Sequence, residues 1–266
     1  WALIIAVVFV ISELVCVACV PERPVACDEK PGKISDMFKA LFKNDQAMTV
    51  VVSIILVYTS LNICGNLVLY FFRFDVGNEG AYSLFAAVAF AAQVLVMMVI
   101  PLLRKRFSKS QLFISGFVIQ IAGFAVILIM AFAKLYTPQS WYILCLPGIL
   151  IYLGYGMLNV IMTIFLSDSV DYGEVMNGTR EESVIFSMQT FTVKLASGVA
   201  VFLAGLVVDW IHLDTAAAVQ TQDTLDALRM WMTIPSVILL IVGIFVFKRF
   251  YKLDDTRMEE IKSKLN

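Results

Sequence analysis

The sequence predicts an all-α membrane protein, and three observations carry that prediction. The first is composition: 60% of the 266 residues are hydrophobic and 15% are charged, with a mean hydropathy of +0.86, whereas soluble domains carry about 25% charged residues. The second is a set of seven apolar runs, at 1–20, 47–72, 81–103, 111–134, 141–166, 184–209 and 230–250. Each is long enough to cross about 30 Å of hydrocarbon, and backbone placed there must satisfy its own hydrogen bonds, which makes each run a helix. The third is charge asymmetry. With 21–46 on the cytoplasmic side, sixteen Lys and Arg fall inside, and only Arg73, Lys134 and Arg229 fall outside.

The first run opens on Trp1 in mid-span, without Met, a basic leader or a small-residue cleavage site, so it is not read as a signal peptide. The chain is read as a fragment of a longer protein, with 1–20 as the last helix of an otherwise missing bundle. Glu13 has no visible partner within it. Cys16-x-x-Cys19 is read as small packing residues, because a single CxxC in an apolar helix lacks a second ligand pair. The segment 21–46 follows as a cytoplasmic linker marked by Pro21, Pro24, Pro31 and Gly32, and it contains Cys27. Its stretch ISDMFKALFKN has the amphipathic pattern of a short helix on the membrane surface. Residues 47–250 then form a six-helix bundle and 251–266 a cytoplasmic tail. The formal charge of −1 averages basic flanks with acidic segments, and no basic patch with interleaved aromatics points to nucleic acid.

Polar residues inside spans carry the functional information, because burying them in lipid is costly. In the sixth run Ser183, Ser187, Thr190, Lys194 and Ser197 share one side, with Gln189 at its edge. Lys194 is the only basic residue deep within any run, about 15 Å in by helical rise, and its ammonium needs an anionic partner. The second run carries Tyr58, Thr59, Asn62, Gly65, Asn66 and Tyr70 on one side, and the fifth carries Gly148, Tyr152, Gly156, Asn159 and Thr163. Tyr and Asn suit a polyhydroxylated ligand, through ring faces and groups that both donate and accept. They equally suit interhelical contacts, and the sequence leaves both readings open. Gln93 and Gln120, each alone in its helix, are read as hydrogen-bonding groups between helices, and His212 as an interfacial surface residue.

Residues 168–183, DSVDYGEVMNGTREES, hold five of the 21 acids in a chain poor in charge. Presented where the fifth run ends, Asp168, Asp171 and Glu174 are expected to pair with Arg104, Lys105, Arg106 or Arg180, or with basic groups outside this chain. Several such pairs would make a reversible cytoplasmic gate.

The segments DSVDYGEVMNGTR, FSMQTFTVKLASGVA, ALRMWMTIPSVILL and FYKLDDTRMEEIKSKL resemble the carboxyl-terminal half of the glycoside-pentoside-hexuronide:cation symporter family, which includes melibiose permease and belongs to the major facilitator superfamily. The D-x-x-D-Y-G-E and Q-T-x-x-x-K signatures are its most specific parts. The resemblance implies helices six to twelve of a twelve-helix carrier, and sugar or glycoside symport driven by Na⁺, H⁺ or Li⁺ across the inner (cytoplasmic) membrane by alternating access. It implies no cofactor, and cation ligands mainly on the amino-terminal half. Gln189, Thr190, Val193 and Lys194 match positions bordering the sugar and cation pockets. Asn159 stands where that permease has a cavity aromatic, which leaves the sugar open. A superfamily carrier of lipid or other non-sugar cargo is the alternative. A membrane-embedded enzyme ranks below both, because no His-rich or paired-carboxylate signature lies within the runs.

Overall fold

A computed structural model describes residues 2–19, 42–178, 182–217 and 219–265. All regular structure among them is helical. The chain divides into two units, 1–34 and 35–266. Of the first, α1 (Ala2–Cys19) is described; its side chains from Leu3 onward, Glu13 included, are exposed, and Cys16 and Cys19 are free thiols.

The second unit contains α2 (Asp45–Tyr70, continued by a π-helical segment Phe71–Val76), α3 (Ala81–Leu103), α4 (Lys109–Phe132) and α5 (Cys145–Asn177, preceded by a 3₁₀ turn Trp141–Leu144). After these come α6 (Glu182–Trp210), α7 (Gln222–Phe250) and α8 (Asp255–Leu265). Six helices are long and apolar enough to cross a membrane; the expected seventh crossing, at 1–20, is the shorter apolar helix of α1. The linker and its surface helix lie outside the described residues up to position 41.

Helix ends follow caps rather than hydropathy. Asn44 caps α2 by accepting from the Ala47 N–H at 2.9 Å, which starts the helix at Asp45 instead of 47. Ser108 and Gln111 form a reciprocal capping box that makes Lys109 the first residue of α4. Two differences bear on function. Helix α5 continues to Asn177 and stops at Gly178, where φ is +73°, so the acidic stretch to 177 is helix rather than loop. Helix α7 begins at Gln222, capped by Thr221, so Arg229 lies within it instead of flanking it. Hydropathy locates the bilayer, and polar residues with no strong breaker let a helix run past that boundary.

Packing centres on α5, which lies against α4 and α3, while α2 lies against α7 and α6. Small residues allow the closest approaches. A Cβ on Gly154 would stand 2.6 Å from both the Gln120 nitrogen and the Gly116 carbonyl of α4, and one on Gly156 would stand 2.6 Å from a Val96 methyl of α3. Gln120 sits in this α4–α5 contact fully buried, yet neither its Oε1 nor its Nε2 has a partner. The interhelical hydrogen bond expected of it is not made. Between α2 and α7, Ser60 and Ser236 exchange hydrogen bonds, each hydroxyl donating to the other's carbonyl, at 3.1 and 2.8 Å. Helices α4, α5 and α7 meet through Phe113, Phe165 and Phe247, whose ring centres lie 4.5–5.2 Å apart.

The α4–α5 contact yields a direct expectation. Gly154→Ala drives a methyl into backbone atoms and destabilises by about 1–3 kcal/mol. Gly198→Ala, whose added Cβ meets nothing within 4 Å, is neutral or stabilising. Thermal unfolding in detergent compares the two, and equal behaviour would contradict the close packing.

Candidate functional site

Three helices bring their polar residues to one face. Tyr58, Asn62 and Asn66 recur at four-residue spacing on α2, Asn159 and Thr163 on α5, and Gln189, Thr190, Lys194 and Ser197 on α6. Asn159 donates its Nδ2 to the Tyr58 hydroxyl at 2.6 Å, and the Tyr58 ring stands edge-on to Tyr155 at 5.5 Å. Asn62 and Asn66 donate to the carbonyls four residues back, Tyr58 and Asn62, both at 2.7 Å. That self-bonding satisfies one of each amide's two donors and keeps the Oδ1 acceptors for other partners. The Asn62 Oδ1 accepts from Ser197 at 3.5 Å, and Gln189 Nε2 donates to Thr163 Oγ1 at 3.4 Å.

The other expected ligand-facing residues divide. Thr190 is exposed and returns its hydroxyl to the Phe186 carbonyl at 3.3 Å. Lys194 is exposed and makes no ion pair among the described residues. Tyr152 and Val193 are half-buried against the apolar core, Tyr152 with its ring 6.5 Å from Tyr155. Asn62, Asn66, Asn159 and Gln189 are thus joined by direct or one-residue links, while Tyr152 and Val193 make no side-chain hydrogen bond among the described residues.

A second cluster closes one end of the bundle. Asp168, on the long α5, is buried against Lys109 in the first turn of α4, each side chain 7% exposed. Lys109 also approaches Asp255 of α8 at 3.5 Å, and Arg104, just after α3, reaches the same carboxylate at 3.3 Å. A lysine at a helix N-terminus opposes the helix dipole, and two carboxylates compensate it. Burial alone would raise the Asp255 carboxyl, but the hydrogen bond and charge of Arg104, with the charge of Lys109, outweigh it and hold it below its ordinary value. The Asp255 carboxyl that joins Arg104 to Lys109 is therefore ionised at neutral pH.

Asp168 was expected to meet Arg104, Lys105, Arg106 or Arg180, and it meets Lys109 instead. Arg106 is exposed, Asp171 and Glu174 lie half-buried in the last turns of α5, and Arg180 lies outside the described residues. The Asp168 end is sealed further by amides. Asn44 Nδ2 donates to the Ser169 carbonyl at 2.8 Å, and its side chain fills the space that a Cβ on Gly173 would need, 2.9 Å away. Gln46 Oε1 accepts from the Lys252 N–H at 2.8 Å. The tail helix α8 buries Met258 and Ile261 with Leu253 beside Tyr172 and Val175.

A third cluster, at the opposite end, went unread in the sequence. Asp75 accepts from one edge of the Arg229 guanidinium, Nε at 2.8 Å and Nη2 at 2.5 Å, and from the Tyr136 hydroxyl at 2.6 Å. Both charged side chains are 3% exposed, and Arg229 also holds Asp226 at 2.7 Å. Burial, and then the Asp75 charge, push the Tyr136 phenol well above its ordinary value, so it remains a donor. The capping box Ser108-x-x-Gln111 could have placed Lys109 on a helix. Nothing in the local pattern joins Asp75 to Arg229 across 154 positions.

The sequence matches the family described as MFS/sugar transport protein over residues 1–255. Similar proteins include the uncharacterized symporter YjmB of Bacillus subtilis, 25% identical over 95% of this chain and 54% of the relative. The raffinose carrier protein of Pediococcus pentosaceus is 23% identical over 87% of this chain and 35% of the relative. The isoprimeverose transporter of Lactiplantibacillus pentosus is 25% identical over 95% of this chain and 51% of the relative. The chain spans about half the length of the curated relatives it matches, or less.

The buried end cluster has a measurable signature. Asp168→Asn or Lys109→Met strands a buried charge and destabilises by about 3–5 kcal/mol, whereas Lys109→Met with Asp168→Asn recovers much of that loss. Detergent unfolding midpoints of the four proteins measure the coupling; strictly additive losses would show that the two residues do not act as a pair.

Proposed function

This chain belongs to the MFS/sugar transport protein family, and from that premise we propose that it forms the carboxyl-terminal half of a secondary sugar or glycoside carrier. On this reading it consists of one helix of the first bundle, a linker at 21–46 and a complete second bundle. The observation that carries the proposal is the chain of polar contacts across three helices, in which Asn62 and Asn159 bond to Tyr58, Asn66 to Asn62, and Gln189 to Thr163. Each amide spends one of its two N–H donors within the protein, so the face offers sugar hydroxyls both acceptors and donors, and the half-buried Tyr58 offers a ring to a sugar's apolar face. The names of the relatives, a raffinose carrier and an isoprimeverose transporter, support a saccharide cargo. Carrier chemistry needs only such a face, without an enzyme's nucleophile or acid–base pair.

Coupling to Na⁺, H⁺ or Li⁺ is assigned to the same face. Lys194 presents an ammonium without a counter-ion among the described residues, which suits pairing with carboxylates on the opposing bundle, where a cation would compete for them. The Arg104–Asp255–Lys109–Asp168 chain is assigned to the cytoplasmic end, where it keeps α3, α4, α5 and the tail together as the bundle moves. Charge asymmetry supports that sidedness in an inner (cytoplasmic) membrane.

The test is uptake by the complete carrier in membrane vesicles, across a panel of labelled saccharides, with and without a cation gradient. Asn66→Leu is expected to weaken apparent affinity about tenfold, the loss of about one hydrogen bond. Lys194→Ala is expected to abolish cation-driven accumulation, with Lys194→Arg a poor substitute because guanidinium differs in geometry and hydration. Accumulation by Lys194→Ala with unchanged cation dependence removes Lys194 from coupling, and no uptake of any saccharide by well-expressed wild type removes the sugar reading.

A further inference from the structure

Helix α2 does not end as it begins. Its last six residues, Phe71–Val76, form a π-helical segment, and the Gly77 N–H closes it by donating to the Phe72 carbonyl five residues back. A π segment accommodates one residue more than the α-helix it interrupts, and such insertions recur at functional sites. Here the insertion lets neighbouring Phe71 and Phe72 both bury fully, Phe71 against Tyr136 and Phe72 against Phe85, at 5.5 and 4.9 Å between ring centres. It also sets Asp75 on Arg229 and Tyr136. The exposed Arg73 reaches outward to the Thr215 carbonyl at 3.2 Å and to Glu79 at 3.7 Å. One turn before the segment stands Asn66, the last amide of the polar face.

We propose that Asp75, Arg229 and Tyr136 are positioning residues for the ligand-facing amides of α2: the clasp holds Phe71–Val76 in its π register, and releasing it lets the segment become α-helical. One residue of register corresponds to a rotation of about 100°. A shift of that size turns Asn62 and Asn66 relative to the Asp75 end and alters what the polar face offers. The inference rests on the reading of that face as the ligand surface. The clasp suits a two-state element. It joins three separate parts of the chain, the end of α2, the start of α7 and the α4–α5 connection, and its ion pair is excluded from water. Partial loosening would leave a charge buried without its partner, so intermediate positions are disfavoured.

The experiment reads register and needs no ligand. Spin labels are placed at Gly65→Cys, whose Cβ meets nothing within 4 Å, and at exposed Gln139→Cys in the α4–α5 connection, in the full chain with its native cysteines replaced by serine. With the clasp intact one distance population is expected. Asp75→Asn with Arg229→Gln, which removes both charges together, is expected to add a second population displaced by several ångströms, on the scale of a 100° turn about a helix of radius about 2.3 Å plus its side chain. Deleting Arg73 removes the extra residue. That protein is expected to keep its unfolding midpoint and to show one population whether or not the clasp is neutralised, whereas deleting Leu61, in the regular part of α2, abolishes folding. An unchanged single population in the neutralised clasp, or a deletion of Arg73 that unfolds the protein as deletion of Leu61 does, overturns the proposal. Because no transport is measured, these outcomes are independent of whether a sugar is the cargo.

Discussion

A charge placed inside an apolar bundle has to be neutralised where it sits, and the rest of this structure is arranged around meeting that requirement twice. At one end Lys109 and Asp168 bury each other, with Asp255 and Arg104 extending the chain to the tail. At the other, Arg229 and Asp75 do the same with Tyr136 and Asp226 around them. An unpaired charge in such surroundings is destabilising by several kcal/mol. The elements carrying the partners are therefore held in the register that brings each charge to its partner. Helix α5 must reach Asp168 and α7 must begin before Arg229. Both helices accordingly run beyond the apolar stretches that mark the bilayer.

The polar face between these ends obeys the same economy on a smaller scale. An asparagine on a membrane helix carries two donors and one acceptor, and in hydrocarbon each unsatisfied donor is unfavourable. Asn62 and Asn66 meet half of this by donating one N–H to their own helix, and Asn159 by donating one to a tyrosine hydroxyl. What remains is a row of amides, each with one N–H and a carbonyl oxygen. A face of this kind is stable in the absence of ligand and still offers hydrogen bonds to a molecule that brings its own hydroxyl donors. The same residue types suit interhelical packing and recognition alike, which is why the sequence could not separate the two readings.

Much of the fold was legible because hydropathy and helix length are tied by the thickness of a bilayer. The six long helices fall on the apolar runs, and the helical stripes of Asn62, Asn159 and Gln189 follow from the 3.6-residue period alone. What escaped was set by tertiary partners. The stretch from Asp168 to Asn177 reads as a loop because it is polar; it is helix because Lys109 and Asn44 receive it. Lys109 itself looked like one more flanking cation. Asp75 and Arg229 look like ordinary ends of separate spans, and only packing joins them. Gln120 shows the opposite error: a buried amide invites the expectation of an interhelical bond, yet close approach at Gly154 fills the space without providing a partner.

The bundle is also mechanically uneven, and that bears on where a change of state can occur. Helices α3, α4 and α5 approach so closely at Gly154 and Gly156 that a single added carbon has no room, and close-packed helices of this kind resist both sliding and rotation. Helix α6 touches α5 sparsely by comparison and relies on α2. Helix α2 in turn is gripped at its start by Asn44 and Gln46 and at its end by the Asp75 clasp, with the π-helical segment between the polar face and that clasp. Against this tightly packed group, α6 is set apart, with α2 as its main contact. Helix α6 carries Gln189, Lys194 and Ser197, so a movement of that helix acts first on the polar face, where Gln189 meets Thr163 of α5 and Ser197 meets Asn62 of α2.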